Sequence, residues 1–386
     1  MSFKNFRDFI VKYPLLILSA ALVLIFFVVD MIISNRDFSE MENRYLNKRP
    51  TFSWSSLMEN KFSRRYEDYI NDQFVLRDQW ISLKSRSEYL LGKIENNGIV
   101  FGSDHYLFEK YQTFDQEKLT NNTAFVQAFL DKYDLPVTFG IIPSSYEILS
   151  DKLPEGLANV DQSQYIQQAV SSLKDERLQT LDLIPSLEAE KEQYIYYRTD
   201  HHWTTYGAWL AYRDYALSRG LTPVEYEGLT GHTVEGFYGS YYSKAKLFNA
   251  EADTIHWMDI PVDSVTVTGK NGDTVYDSLY NDSQWEVRDK YAAFLYGNNG
   301  VTVIRSDNNL NRQEGRTSRV LLIKDSFGNS FAPYLTYNYD EVYVIDLRST
   351  VDPLSELLDS TEFDDVLILY NFMNYTSDTN FAKLTY

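Results

Sequence analysis

Val320-Leu321-Leu322-Ile323-Lys324-Asp325-Ser326-Phe327-Gly328 reads as a buried strand, Val320 to Ile323, that ends in a turn and opens a helix running toward Tyr334. In parallel α/β sheets functional groups sit just past the carboxyl ends of strands, and Ser326 stands at that point. A helix N-terminus behind a serine also offers backbone N–H groups to an oxyanion. Further short apolar runs rich in β-branched residues occur at Pro136 to Ile142, Glu341 to Ile345 and Val366 to Tyr370. They alternate with helical patterns at Thr123 to Tyr133 and Tyr165 to Leu173, which predicts an α/β fold with a parallel sheet flanked by helices. Leu57 to Leu91 carries apolar residues at helical spacing, and Gly98 to Gly102 reads as a short strand. Gly231 to Asn311, rich in Gly, Asn, Asp and Tyr, is expected to form long loops and irregular strands on one rim of the sheet.

The second informative stretch is Thr199-Asp200-His201-His202-Trp203-Thr204. It places a carboxylate and an imidazole two positions apart, just before a helix that Thr204 or Thr205 caps and whose apolar face is Ala208, Ala211, Tyr212 and Tyr215. Ser326 as nucleophile, His202 as base and Asp200 as the residue that orients the base make up an acyl-transfer triad. Two blander readings compete. An Asp-Ser pair after a strand commonly caps a helix, and His201 with His202 and Asp200 could bind a metal ion. His105, His232 and His256 have no metal-ligand spacing, so no metal and no cofactor is assigned. His201, Trp203 and Tyr238 are the candidate substrate-contacting residues. Trp203 suits a wall of the site or the core better than a sugar platform, and Tyr238 lies in the aromatic loop Gly236 to Tyr242.

The chain has 386 residues, 44% hydrophobic, with a formal charge of −19 and no cysteine. The charge argues against nucleic acid as a partner, because phosphate backbones require a basic surface. The missing cysteine excludes disulfides, thiolate metal sites and a Cys nucleophile. Pro14 to Ile33 is nearly all apolar, about the length of a membrane-spanning helix, and Lys4, Arg7 and Lys12 precede it. No small-x-small cleavage site follows, so an uncleaved signal anchor is expected, with the main domain outside the cytoplasm. The expected organisation is a cytoplasmic tip and transmembrane anchor over residues 1–34, a linker over 35–56 and an extracytoplasmic domain over 57–386. The 31 tyrosines and six tryptophans fit core packing for the most part, with some free to line a glycan groove.

Asp200 to Trp203 followed by Gly207-Ala208 resembles the signature of the DHHW proteins of Gram-positive bacteria, which are similar to SGNH-hydrolase-like proteins that O-acetylate alginate. The resemblance continues, in order, through Glu42-Asn43-Arg44 with Leu46 and Pro50, Phe74 and Arg77, Phe294 to Asn298, Lys324 to Ser326, and Val344 to Arg348. It implies a membrane-tethered, SGNH-like three-layer domain in which Asp200, His202 and Ser326 form the triad, with Asp-x-His ahead of the serine. Ordinary SGNH enzymes use a Gly and an Asn for the oxyanion; Gly297 and Asn298 are the candidates here, with Asn371 behind them. Lys324 stands where those enzymes carry the Gly of Gly-Asp-Ser. The implied activity is O-acetyl transfer to a cell-surface polysaccharide through an acyl-enzyme, with an MBOAT-type membrane acyltransferase as acyl source. A carbohydrate O-acetyl esterase, a non-catalytic envelope scaffold or glycan-binding protein, and a metal-dependent hydrolase using Asp200, His201 and His202 are the alternatives.

Overall fold

The computed structural model describes residues 11–269 and 272–386, apart from the side chains of Asp30 and Met31. The chain divides into two compact units: one runs up to Lys93 and includes Lys246–Phe248, and the other comprises Ile94–Ala245 and Asn249–Tyr386.

In the first unit the apolar run forms a helix, Pro14–Ile32, with Leu15, Leu18, Val23 and Ile25 exposed. Among the described residues no helix is long and apolar enough to cross a membrane, so the transmembrane helix expected from the sequence is not confirmed. Lys4 and Arg7, two of the three basic residues on which the predicted orientation rests, lie outside the described residues. The segment read as a linker is pinned to the helix Lys61–Gln73. Arg44 donates to both oxygens of Asp72 at 2.9 and 2.5 Å, and Asn47 adds its backbone and side-chain N–H groups at 2.8 and 2.7 Å. These bonds, led by Arg44, hold the Asp72 carboxyl well below the usual carboxylate range. Arg77 and Lys246 both bond Glu42.

The second unit is built on a sheet of eight strands: β1 Val137–Ile142, β2 Leu178–Leu181, β3 Ser264–Gly269, β4 Gly272–Tyr276, β5 Val301–Arg305, β6 Arg319–Lys324, β7 Glu341–Ile345 and β8 Asp365–Asn371. Their order is β4-β3-β5-β7-β6-β8-β1-β2. The five strands β7-β6-β8-β1-β2 are parallel, and β5, β3 and β4 extend the sheet antiparallel. The expected parallel sheet is therefore one half of a mixed sheet. The other half comes largely from the region expected to be loops and irregular strands. That region also holds a hairpin, Gly231–Phe237 with Asp253–Met258, broken by a register shift between Val234 and Phe237.

Side-chain alternation explains why the parallel half is covered on both faces. Val320 and Leu322 of β6, with Leu367 and Leu369 of β8, join one buried cluster. Leu321 and Ile323, with Val366, Ile368 and Tyr370, join the other. Helix α1 (Gln116–Lys132) buries Val126, Phe129 and Leu130 in that second cluster. On the first face lie α2 (Thr205–Ser218) and α3 (Gly328–Leu335), with Ala208, Ala211, Tyr212 and Tyr215 buried as the spacing predicts.

Helix α2 starts where the Asp-His stretch ends. Thr204 caps it, its side chain accepting from Gly207 N at 3.3 Å. A Cβ added at Gly207 would collide with the Ile195 carbonyl and come within 3.1 Å of Trp203 Cβ. Overpacking against backbone costs about 1–3 kcal/mol, more than the gain of up to about 1 kcal/mol from replacing helical Gly by Ala. Gly207→Ala is therefore expected to lower the thermal unfolding midpoint by several degrees, read by circular dichroism. An unchanged or raised midpoint would show that the close approach carries no weight.

Candidate active site

Residues 196–203 form a tight turn back, closed by a bridge between Tyr196 and Trp203 and by the bond from Tyr197 N to His202 O at 3.2 Å. Its tip is held by Asp253, which is fully buried. Asp253 accepts from Arg198 N and Thr199 N at 2.8 Å each, from Thr199 Oγ1 at 2.5 Å, and from the Tyr194 hydroxyl. Burial pushes its carboxyl up, and the hydrogen bonds from Thr199 and Tyr194 oppose that. The tip also meets the aromatic loop: Gly239 N donates to Thr199 Oγ1 at 3.0 Å and Ser240 N donates to Asp200 Oδ2 at 2.7 Å. A Cβ at Gly239 would overlap the Asp200 side chain, so only glycine fits there.

The turn carries Asp200 and His202 to the end of β6. Asp200 Oδ1 lies 2.5 Å from His202 Nδ1 and accepts from His202 N at 3.0 Å. A carboxylate only accepts, so Nδ1 carries the proton and Nε2 is the acceptor. Ser326 Oγ lies 2.8 Å from that Nε2. All three residues are buried, with 4, 5 and 7% exposure for Asp200, His202 and Ser326. The imidazole of His202 stacks on Tyr291 at 3.9 Å and packs against Phe327 at 4.8 Å. Burial, then the neighbouring His201, push the His202 imidazole down to about 4 against the pull of Asp200. It is therefore neutral at pH 7, the form in which it can take a proton. Burial pushes Asp200 up, but the charges and hydrogen bonds of both histidines outweigh this and hold it well below its ordinary value. Burial lowers His201, and the Asp200 charge more than reverses the shift.

The turn bearing Ser326 is fixed from beneath. Asp325 accepts from Phe327 N at 2.9 Å, Asn371 N at 2.8 Å and Asn374 Nδ2 at 2.7 Å. Tyr291 donates to Ser326 O at 3.1 Å. Lys324, 2% exposed, reaches Asn329 Oδ1 at 2.5 Å and Asn298 Oδ1 at 3.3 Å, with Asp346 at 3.6 Å. Burial pushes its amine down to about 8.

The other sequence candidates separate. His201 is one-third exposed and lies 2.6 Å from Ser240 Oγ through its Nδ1. Trp203 is fully buried and donates to Phe327 O at 3.1 Å and Ser330 Oγ at 3.0 Å, so it positions the serine turn from inside the core. Tyr238 packs on Tyr242 at 4.5 Å, under the Arg288 guanidinium, on the loop that contacts Asp200. Gly297 adopts φ 87° in a turn. The carbonyl of the Asn298 side chain accepts from Lys324 and Asn329, which tethers it to residues on both sides of Ser326 in sequence. Asn371 caps the short helix that follows β8, accepting from Met373 N at 3.1 Å. Tyr291, Ser240, Asp253 and Asn374 were not anticipated. Of these, Ser240 stood in the quoted aromatic loop, while the other three carry no local signal.

Ligand atoms of Asp200, His201 and His202 lie within 4.8 Å of one another, close enough for a metal ion. Both His202 nitrogens already face Asp200 and Ser326, so an ion bound there would displace one of those bonds.

The profile of the DHHW protein family matches residues 102–345. The chain belongs to the DHHW family. Asp200 to Trp203 lies in the matched region. A DHHW family protein from Eubacterium siraeum shares the fold, with a TM-score of 0.65 and 22% identity over 75% of this chain and 96% of that one. PatB1 of Bacillus cereus, solved with a sulfonyl adduct, superposes with a TM-score of 0.60 and 20% identity over 72% of this chain and 96% of its own. Two curated relatives are named probable alginate O-acetylase AlgJ. The one from Azotobacter vinelandii is 23% identical over 160 residues, 39% of this chain and 41% of its own length. The one from Pseudomonas syringae is 23% identical over 170 residues, 42% and 43%. The match thus spans about two fifths of the length of these relatives.

In this DHHW protein the low value of His202 has a kinetic signature. A base works only when deprotonated, so with His202 as the base for Ser326, reactivity would be lost as pH falls through the His202 value. Labelling by a sulfonyl fluoride is expected to reach half its plateau rate near pH 4 and stay flat across neutral pH. A half-point near 6.5, in protein shown to be folded, would mean that burial and His201 do not act on this base.

Proposed function

We propose that this DHHW protein is an O-acyltransferase that acetylates a polysaccharide through Ser326. The observation that carries the reading is the continuous line Asp200–His202–Ser326, with bonds of 2.5 and 2.8 Å. The curated relatives named as probable alginate O-acetylases support the same class of chemistry.

In the proposed reaction Ser326 Oγ attacks the carbonyl carbon of a donor acetyl ester while its proton passes to His202 Nε2. The bond to the donor oxygen breaks, that oxygen takes the proton from His202, and the acetyl group stays on Ser326. A sugar hydroxyl then attacks, its proton goes to His202 and on to Ser326 Oγ, and the acetyl ester forms on the glycan. Asp200 holds the tautomer and offsets the imidazolium charge. Water in place of the sugar would make the protein an esterase. The N–H groups at the start of α3 face the developing oxyanion in this proposal, with Asn298 held beside them.

The proposed location is the outer face of the cytoplasmic membrane, with a single anchor. Support comes from the basic residues ahead of the apolar run and from the exposed apolar side chains of the helix Pro14–Ile32. An acyl donor outside the cell then comes from a membrane acyltransferase of the MBOAT type. Protease added to intact cells is expected to cleave the main domain, and high-salt washing is expected to leave the chain in the membrane fraction. Full protection, or release by salt, would remove this placement.

The chemical test is acyl labelling. The full-length chain incubated with an activated acetyl ester is expected to gain about 42 Da, one acetyl group, on Ser326. Ser326→Ala should gain nothing, and Asp200→Asn should label roughly 10³–10⁴-fold more slowly. Equal labelling of Ser326→Ala and wild type would overturn the assignment.

A further inference from the structure

A cavity of about 450 Å³ opens at His201, on the turn that carries Asp200 and His202. It is of the size that ordinarily holds a small-molecule ligand. His201 and Ser240, which flank Asp200 in space, form one wall; Asn371 and Asn374, both bonded to Asp325, form another. The cavity therefore touches the turn that carries His202 and, through Asn371 and Asn374, the residues that hold Asp325 next to Ser326. Tyr111 and Tyr241 supply aromatic surface, and Ser144 and Ser377 add hydroxyls.

The charges of the wall decide what it can hold. Its basic side chains are Lys244 and His201. Lys244 Nζ lies 3.1 Å from Glu109 Oε1, and Glu109 is itself in the wall. His201 Nδ1 lies 3.5 Å from Asp200 Oδ2. Each basic group is matched to an acid at close range. Carboxylate ligands are recognised by cations free to bond them, typically a forked Arg, and this wall has no unmatched one. At longer range the formal charge of −19 repels polyanions. Amides, hydroxyls and aromatic faces remain, a set that suits sugar hydroxyls and ring C–H faces.

Resting on the acyl-transfer reading above, we infer that this cavity is the acceptor subsite and that it takes a neutral glycan rather than a polyuronate. The inference separates this chain from its curated relatives, whose names specify alginate. Glu109 is the specificity-determining residue: by pairing with Lys244 it occupies the ammonium group of the wall that could bond a uronate carboxylate.

Binding can be measured without chemistry on the full-length Ser326→Ala chain. The probes are chitopentaose, which is neutral, and pentamannuronate, with one carboxylate per sugar, both titrated calorimetrically at low and physiological salt. Chitopentaose is expected to bind at least tenfold more tightly at either salt. Ser377→Trp, an exposed position chosen so that the fold is kept, is expected to fill the cavity and weaken chitopentaose binding at least fivefold. Glu109→Gln is expected to narrow the preference over pentamannuronate several-fold. Equal or tighter binding of pentamannuronate, binding of neither probe, or chitopentaose binding that ignores Ser377→Trp would overturn the inference. Acyl labelling of the wild-type chain is scored separately, so a failed acyl-enzyme and a wrong acceptor class give different patterns.

Discussion

The bond between His202 Nε2 and Ser326 Oγ joins segments 124 residues apart in sequence, and much of the surrounding packing fixes its two ends. One end is a turn, residues 196–203, that has no regular structure of its own. The other is the loop after β6. Neither is rigid by itself, since loops gain precision only from what they are bonded to. Asp253 therefore ties the tip of the first turn through two backbone N–H groups and the Thr199 hydroxyl, and also accepts from Tyr194 just before it. Asp325 ties the second to β8 through Asn371 and to the following helix through Asn374. Trp203 crosses between them: it follows His202 in the chain and donates to Phe327 O, just after Ser326. A buried indole N–H needs a partner, and here that need locks the two turns in register.

The local signals in the sequence were strong where burial is two-sided. β6 and β8 read as continuous apolar runs because both faces are covered, and the serine at the end of β6 followed from that alone. The caps and faces of α2 were legible for the same reason. β3, β4 and β5 were not. Val265 and Val267 of β3 alternate with Ser264, Thr266 and Thr268, and the edge strand β4 has Val275 as its lone aliphatic residue; such a pattern in a Gly- and Asn-rich region looks like loop. The antiparallel extension is a matter of which edge a strand joins, a long-range choice that no local window contains.

The site divides along the same line. Asp200, His202 and Ser326 were readable because their spacing and their positions before a helix and after a strand restrict what they can do. Trp203 read as a wall of the site or the core rather than a sugar platform, but the sequence did not choose between wall and core. Only its complete burial decides that it packs. Tyr291, stacked on His202, comes from a short 3-10 turn between irregular segments, and Asp253 from the hairpin. Both act at a distance in sequence, and each is a common residue type in an acidic, tyrosine-rich chain.

That acidity also shaped the chemistry available. A chain with 55 acidic and 36 basic side chains that buries carboxylates near its candidate active site must supply each with donors, because an unpaired buried charge costs several kcal/mol. Asp253 and Asp325 are satisfied by backbone N–H groups, hydroxyls and an amide, Asp346 by Arg348 at 2.6 Å with Lys324 beyond, and Asp200 by histidines and Ser240 N. The cations that approach the site are thus already committed to acids of the protein itself. A base that stays neutral and a cavity wall without a spare positive charge follow from the same accounting. The electrostatics that hold the two turns in place leave hydroxyl groups and aromatic faces as the uncommitted contacts of the cavity wall.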